Sequence, residues 1–118
     1  MKTRSRHIFL VAGEHSGDAL GAKLMAALGE RSEAPLIYSG VGGEEMAQMG
    51  LRSLFPLSDV AVMGPLAILR QLPRLVRRVY QTVDAAVAAS PDLVVIIDSP
   101  EFTHPIAKRI RRKCPDIP

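Results

Sequence analysis

The sequence predicts an α/β domain in which helices cover both faces of a mainly parallel, doubly wound sheet. Two observations predict this class. Strand-like apolar runs alternate with helical patterns along the 118 residues, and these runs are continuously apolar rather than alternating with polar residues. Continuous apolar runs are typical of strands buried on both faces, as in a parallel sheet. The length suits one domain, so we expect residues 1–118 to fold as a single unit.

The elements follow in order along the chain. We expect strands at residues 7–13, 35–43, 51–57 and 92–98, the last being the clearest. Helical patterns are expected at residues 18–31, 44–50, 65–89 and 106–113. The first of these places Leu20, Leu24, Ala27 and Leu28 at helical spacing, with Asp18 in the capping region.

Two prolines affect the expected helix boundaries. Pro73 is expected to kink or divide the long helical region. Thr103 or His104, just before Pro105, is interpreted as the start of the last helix.

Composition and charge narrow the function classes. The chain is 47% hydrophobic with a formal net charge of +3, which is ordinary for a folded domain. Cys114 is the only cysteine, so no intrachain disulfide can form and a reducing compartment, the cytoplasm, is favoured. No apolar run approaches the roughly 18 residues of a spanning helix. Arginine clusters permit a polyanionic partner, but few aromatic residues accompany them, so we expect no nucleic acid.

Three predicted loops lie at the carboxyl ends of strands, at residues 13–18, 40–43 and 98–103. Ligands of open parallel sheets bind at that edge. These loops hold nearly all of the unusual polar residues, which places the expected site there.

The loop in "VAGEHSGDALGA" leads from a strand into a helix N-terminus. Unpaired amides and the positive end of the helix dipole suit a phosphate or a sugar hydroxyl at such a place. The loop lacks the patterns of a Walker A loop, a dinucleotide fingerprint and a nucleophile elbow. An equally favoured alternative is that Ser16 or Asp18 caps the helix and Gly17 permits a tight turn.

"GVGGEEM" indicates either close approach of the backbone to a ligand or a turn that places Glu44 and Glu45 in the first turn of a helix. The turn is favoured.

"IIDSPEFTHP" places Asp98 at the end of an apolar strand, a position suitable for a general base. His104 has no partner at a metal-site spacing, and His7 and His15 are scattered, so we expect no metal site.

The region 59–87 has an apolar face and a basic face. The apolar face comprises Ile68, Leu69, Leu72, Val76, Val79, Tyr80, Val83 and Val87; Arg70, Arg74, Arg77 and Arg78 lie roughly opposite. After Pro73 a core-facing helix with a solvated back is favoured. Before it, Val60, Val62, Met63, Leu66, Ile68 and Leu69 exceed what one buried face requires. This excess beside arginines suits an anionic membrane surface or acyl chains.

Four segments, "VAGEHSGDALGA", "GVGGEEMAQMGLRSLF", "DVAVMGPLAILRQLPRL" and "PDLVVIIDSPEFT", cover nearly the whole chain. Through them, in this order, the sequence resembles the N-terminal part of the lipid-A-disaccharide synthases. The resemblance implies an inverting glycosyltransferase of GT-B type, with two Rossmann-like domains and no cofactor or metal. This chain would be the acceptor-side domain, and the nucleotide-binding domain would be absent from it, leaving the chain alone inactive.

The implied reaction joins UDP-2,3-diacylglucosamine to 2,3-diacylglucosamine 1-phosphate, releasing UDP and forming a β(1→6) disaccharide for lipid A. The implied location is the cytoplasm, peripherally on the inner membrane of a Gram-negative bacterium. Alternatives are another UDP-sugar transferase or epimerase, and a non-catalytic module that binds a nucleotide or lipid. The sequence does not predict an oligomeric state.

The resemblance also implies residue roles. Asp98 is the expected base or its orienting partner. The expected substrate-binding residues are Gly13, Glu14, Ser16, Gly17, Asp18, Gly42 and Gly43. The expected membrane or acyl-chain contacts are Val62, Met63, Leu66, Ile68, Leu69, Arg70, Leu72 and Arg74. Glu101 and Thr103 stand where the family often has Asp and Asn, and neither receives a catalytic role.

Overall fold

The computed structural model describes residues 5–62 and 64–118. Its strands are β1 (Arg6–Ala12), β2 (Leu36–Val41), β3 (Arg52–Ser53) and β4 (Leu93–Ile97). Its helices are α1 (His15–Arg31), α2 (Glu44–Gln48), α3 (Pro65–Arg70), α4 (Leu72–Ala89) and α5 (Pro100–Lys113), with a 3-10 turn at Leu57–Asp59.

The four strands form one parallel sheet in the order β3-β2-β1-β4. Ile8 of β1 is paired with Tyr38 of β2 on one side and with Leu93 of β4 on the other. The central position of β1 agrees with its sequence, because Ile8 to Ala12 form an unbroken buried run. The winding direction reverses at β1, so the β1–β4 boundary is the switch point of the sheet.

Both faces of the sheet are covered. Phe9 and Val11 of β1 pack in a core with α4 and α5, whereas Ile8, Leu10 and Ala12 pack in a second core with α1 and α2. This alternation follows from the two-residue period of a strand. The prediction of a doubly wound parallel α/β sheet is confirmed.

Helix α1 packs through glycines as well as through two of the leucines that we expected. Gly17 and Gly21 are buried, and a Cβ atom on Gly21 would lie 2.5 Å from the Met46 sulfur. This close approach turns Leu20 outward, where it is 56% exposed, and Ala27 is exposed as well. The expected apolar face of this helix was therefore wrong at Leu20 and Ala27, while Leu24 and Leu28 pack against the core.

The third strand is shorter than predicted. The Ser53 hydroxyl donates to the Phe55 carbonyl (2.7 Å) and turns the chain away from the sheet after two paired residues. The long helical region is divided, as predicted, but the break lies at Gln71. Pro73 fits in the first turn of α4, where the missing amide proton costs nothing.

The last helix begins earlier than predicted. Helix α5 starts at Pro100, so Thr103 and His104 lie within it and Pro105 is an internal proline. The interpretation of Thr103 or His104 as the helix start was wrong, because a tight turn before Pro100 already starts the helix.

Arg78 does not lie on a solvated back of α4. Its side chain is half-buried, with hydrogen bonds to Asp59 and, at 2.7 Å, to the Gln81 side-chain oxygen. Its guanidinium carbon lies 4.7 Å from the centre of the Phe55 ring. These contacts attach the segment before α3 to α4, and they correct our placement of this arginine. In the described part of the chain, no helix combines the length and apolarity needed to cross a bilayer.

Candidate functional site

The three loops predicted to share one edge of the sheet do so. They follow β1, β2 and β4, and side-chain hydrogen bonds join them: Ser16 to Asp98, and Asp18 to the Gly43 amide. The first of these contacts lies at the switch point between β1 and β4. Asp98, the expected base, and Glu14, which was expected to bind substrate or support it, also interact although they are distant in the sequence.

The turn after β4 fixes the Asp98 carboxylate. Asp98 and Ser99 both have positive φ angles, 56° and 47°. This left-handed conformation is uncommon outside glycine and costs free energy, so the surrounding contacts must stabilise it. The Asp98 carboxylate accepts the Ser99 amide at 2.9 Å on one oxygen and the Ser16 hydroxyl at 3.3 Å on the other.

Glu14 and Asp98 form a carboxyl pair at the exposed edge. A hydrogen bond and charge repulsion from Asp98 raise the pKa of Glu14 above 4.5, and the Glu101 charge raises it further. The Ser99 amide, followed by the hydrogen bond from Glu14, lowers the pKa of Asp98 below 3.8. Asp98 therefore ionises first and Glu14 keeps the shared proton to higher pH.

Gly13 makes room for the turn that holds Asp98. A Cβ atom on Gly13 would lie 2.5 Å from the Ser99 Cβ and 2.9 Å from its hydroxyl. The space beside this glycine is therefore filled by the chain itself. Gly17 likewise lets α1 approach the end of β4, since its Cβ would lie 3.3 Å from the Ile97 carbonyl oxygen. The predicted substrate contacts of Gly13 and Gly17 could be made only through the backbone.

Asp18 has a role that we did not predict from the sequence. It is 5% exposed, and its carboxylate accepts the amides of Gly43 (2.8 Å), Glu45 (3.1 Å) and Met46 (3.0 Å) at the start of α2. It thus caps α2 rather than its own helix. Helix α1 begins at His15 without a side-chain cap, so capping of α1 by Ser16 or Asp18 was wrong. The sequence does contain a signal for its burial, because Asp18 follows Gly17 on the face of α1 that has small residues.

Gly42 and Gly43 lie in the turn favoured by the sequence, and Glu44 and Glu45 begin α2. The Gly42 amide donates to the Ser53 hydroxyl at 3.1 Å, and the Gly43 amide donates to Asp18. Both amides are therefore already used within the chain. Substrate contact at these two glycines stays a prediction.

The start of α1 offers donors beside the carboxyl pair. The first intrahelical bond runs from the Asp18 amide to the Glu14 carbonyl at 3.1 Å. Helix geometry therefore directs the amides of His15, Ser16 and Gly17 toward the edge that carries Glu14 and Asp98. A ligand with oxygen acceptors would meet these donors at the positive end of a 17-residue helix.

An apolar cavity of about 240 Å³ lies next to the turn after β4. Val62, Ile68 and Leu72, three of the expected acyl-chain contacts, line it together with α4 and α5. Ser99, the residue after Asp98, lines it as well, so the cavity reaches the turn that carries Asp98, although Glu14 and Asp98 themselves do not line it. The residues on its α5 side, which sequence reasoning missed, are Glu101, Phe102, Pro105 and Arg109.

The remaining expected membrane contacts lie outside this cavity. Leu66 and Leu69 of α3 are 61% and 65% exposed, and Arg70 and Arg74 are exposed beside them. Met63 lies outside the described residues. Val76 and Tyr80, which were expected on the core-facing side of α4, are about half exposed and line the cavity. The side of α4 on which they lie is therefore not a core surface.

Nothing in residues 5–62 and 64–118 gathers three or more of His, Cys, Asp and Glu as metal ligands would be gathered. The absence of a metal site nevertheless stays an expectation. His15 is exposed at the start of α1.

The chain is similar to known proteins over nearly its whole length. Residues 8–118, which include the Glu14–Asp98 pair, match the family model described as lipid-A-disaccharide synthetase. The chain belongs to this family. It is 52% identical over 114 residues to the lipid-A-disaccharide synthase of Nitrobacter winogradskyi, covering 97% of this chain and 29% of that protein. It is 50% identical over 105 residues to that of Rhodospirillum centenum, covering 89% of this chain and 26% of the relative. The chain thus spans less than a third of the length of these relatives.

Proposed function

We propose that the protein carrying this chain is the glycosyltransferase that forms the lipid A disaccharide. It would join UDP-2,3-diacylglucosamine to 2,3-diacylglucosamine 1-phosphate and release UDP. The observation that carries the proposal is a carboxyl pair at the switch point whose Asp98 precedes a residue that lines an apolar cavity, in a chain of this family. A sugar that carries acyl groups needs a polar reacting centre beside an apolar surface.

The carboxyl pair suits removal of a hydroxyl proton. The acceptor's 6-hydroxyl attacks the anomeric carbon of the donor, and its proton passes to the carboxyl pair as the new C–O bond forms. The bond between the anomeric carbon and the phosphate oxygen of UDP breaks, and its electron pair leaves with UDP. Two ionised carboxylates in contact repel each other, and uptake of one proton replaces this repulsion by a shared hydrogen bond. The pair therefore accepts a proton more readily than an isolated carboxylate. Asp98 is the proposed base or the partner that orients it, and Glu14, whose pKa is raised, would hold the shared proton.

The loop between β1 and α1 would bind polar parts of the substrates. The amides at the start of α1 and the Ser16 hydroxyl are donors suited to sugar or phosphate oxygens. Gly13 and Gly17 would bring this backbone close to β4. Asp18 would act indirectly, by fixing the Gly42–Gly43 turn on which any ligand contact there depends.

The apolar side would receive lipid. The cavity would bind a segment of an acyl chain, which would contact Val62, Ile68 and Leu72. Leu66 and Leu69, with Met63 before them, would touch the cytoplasmic face of the inner membrane, and Arg70 and Arg74 would meet anionic headgroups. The protein would then be cytoplasmic and peripherally bound. This chain would be the acceptor-side Rossmann-like domain of a GT-B enzyme and would be inactive without the nucleotide-binding domain.

Product formation by the complete gene product tests the reaction. Disaccharide is measured by mass spectrometry from the two acylated substrates, for wild type, Asp98→Ala and the control Asp92→Ala. Asp92 is an exposed aspartate at the opposite end of β4. We expect a loss of about a hundredfold or more for Asp98→Ala and little change for the control. A nearly unchanged rate for Asp98→Ala would move the base to Glu14. No product from well-folded wild type would refute the proposed function.

Sedimentation with anionic phospholipid vesicles tests the membrane contact. The double variant Leu66→Ser/Leu69→Ser is expected to lose binding while keeping its far-UV circular dichroism spectrum. Leu20→Ser is the control, because Leu20 is equally exposed but lies on α1, across the sheet. Loss of folding in the double variant would show that the two leucines belong to the core.

A further inference from the structure

Thr103 is buried in α5 directly behind the turn that carries Asp98. Its side chain is 1% exposed, and its hydroxyl donates to the Asp98 carbonyl at 2.8 Å and to the Ser99 carbonyl at 3.2 Å. Both acceptors belong to the residues with positive φ angles. The hydroxyl therefore bonds the two peptide units whose uncommon conformation directs the Asp98 carboxylate.

We infer that Thr103 is a positioning residue for Asp98, holding the left-handed turn so that the Asp98 carboxylate stays beside Glu14. The two carbonyls differ in their other contacts. The Ser99 carbonyl also accepts the amides of Phe102 and Thr103 at the start of α5. The Asp98 carbonyl accepts the Thr103 hydroxyl at the shorter distance, 2.8 Å. Loss of this hydroxyl therefore removes a hydrogen bond from the residue that carries the proposed catalytic carboxylate.

The neighbouring contacts agree with this role. The Asp98 carboxylate accepts the Ser99 amide, so it is held only while the Asp98–Ser99 peptide keeps its orientation. On the other side, Gly13 leaves just enough space for Ser99. The turn is thus enclosed by Gly13 and Thr103, and of these two only Thr103 supplies a hydrogen bond from its side chain.

Thr82 provides a matched control. It is also fully buried, and its hydroxyl donates to the Arg78 carbonyl at 2.7 Å, four residues earlier in α4. Thr82→Val therefore removes a similar hydroxyl from a similar environment away from the site. Thr103→Val removes the hydroxyl and keeps the shape of the side chain, and Thr103→Ala removes the hydroxyl without adding bulk. Thr103→Ser retains the hydroxyl.

The measurement is a carboxyl-carbon NMR titration of Glu14 and Asp98 in the 118-residue chain. In Thr103→Val and Thr103→Ala we expect the pKa of Glu14 to fall toward its ordinary value and that of Asp98 to rise. Thr103→Ser and Thr82→Val should retain the wild-type values. Glu101 also faces Glu14 and is unchanged in every variant. Wild-type titration of both carboxyls in the folded hydroxyl-deleted variants would overturn the inference, as would failure of Thr103→Ser to preserve the pair.

Kinetics of the complete gene product supply a second readout, which rests on the proposed function. Thr103→Val should lower kcat by about ten- to a hundredfold with little change in KM, because a misplaced reacting group affects the chemical step. If wild type makes no disaccharide, the proposed function fails while the titration still decides the role of Thr103. An unchanged kcat in an active enzyme would overturn the inference alone.

Discussion

Replacing Asp18 by alanine tests how the loop after β2 is held. The Asp18 carboxylate accepts three backbone amides at the start of α2 within 3.1 Å. Removing it leaves these donors without their acceptor. The three amides differ in their access to water, because Met46 is buried, Gly43 is half-buried and Glu45 is exposed.

These differences in burial set the expected loss of unfolding free energy in Asp18→Ala. A buried donor that loses its acceptor costs about 1–3 kcal/mol, so the Met46 amide should contribute fully and the Glu45 amide least. The three bonds together are the cap of α2, so no separate cap contribution is added, and with a smaller contribution from the Gly43 amide the total is about 2–4 kcal/mol. That is a large share of the roughly 5–15 kcal/mol by which a domain is stable.

Urea unfolding of the chain, followed by circular dichroism, measures this loss. Asp92→Ala is the control, because its carboxylate accepts one amide, that of His7, at the exposed edge of the sheet. We expect the control to lose less than about 1 kcal/mol. A loss below about 1 kcal/mol for Asp18→Ala would contradict this prediction, since the buried hydrogen bonds would then be no stronger than the exposed one.

Three further predictions concern other contacts of the site and core. Gly13→Ala should destabilise the chain by about 1–3 kcal/mol in the same urea assay, because its methyl group would overlap the Ser99 side chain. Gly29→Ala is the control and should be neutral or stabilising, because its methyl group would meet open space. Asp98→Asn should lower the pKa of Glu14 toward 4.5 in an NMR titration, since the repelling charge is removed; an unchanged pKa would show that the carboxyls do not interact. Arg78→Ala should cost about 2 kcal/mol of unfolding free energy, more than loss of an exposed arginine in the same helix.

The carboxyl pair also gives the chain a pH-dependent stability with two opposite signs. The raised pKa of Glu14 means that its shared proton stabilises the fold below about pH 4.5, and this contribution is lost as pH rises through the raised value. The lowered pKa of Asp98 means that its ionised form stabilises the fold above about pH 3.8, and this contribution is lost as pH falls through the lowered value.

The sheet could be predicted from the sequence because its evidence is local. The continuous apolar runs that became β1 and β4 are visible without any knowledge of partners, and parallel pairing then places their ends at one edge. Asp98 and Glu14 could be identified for the same reason. They follow directly from the ends of strands, and their proximity is a consequence of the winding.

The contacts that differed from prediction depend on distant residues. The start of α5 at Pro100 depends on a left-handed turn that packs against Gly13, far away in the sequence. Asp18 meets a helix start more than twenty residues later, and Arg78 meets Asp59 in a segment without helical or strand periodicity. Periodicity and capping preferences describe neighbours along the chain, so they could not identify these partners.

The pairing of β1 with β4 makes the carboxyl pair an indicator of complete folding. Ser16 and Asp98 are 82 positions apart, and they meet only when the two strands are side by side. Closing so long a loop is entropically costly and is repaid only by the assembled core. A chain with α4 formed but β4 unpaired would present Asp98 without Glu14. The site should therefore form in the same cooperative step as the core. Partly folded chains should lack the carboxyl pair and should not bind a ligand at this edge.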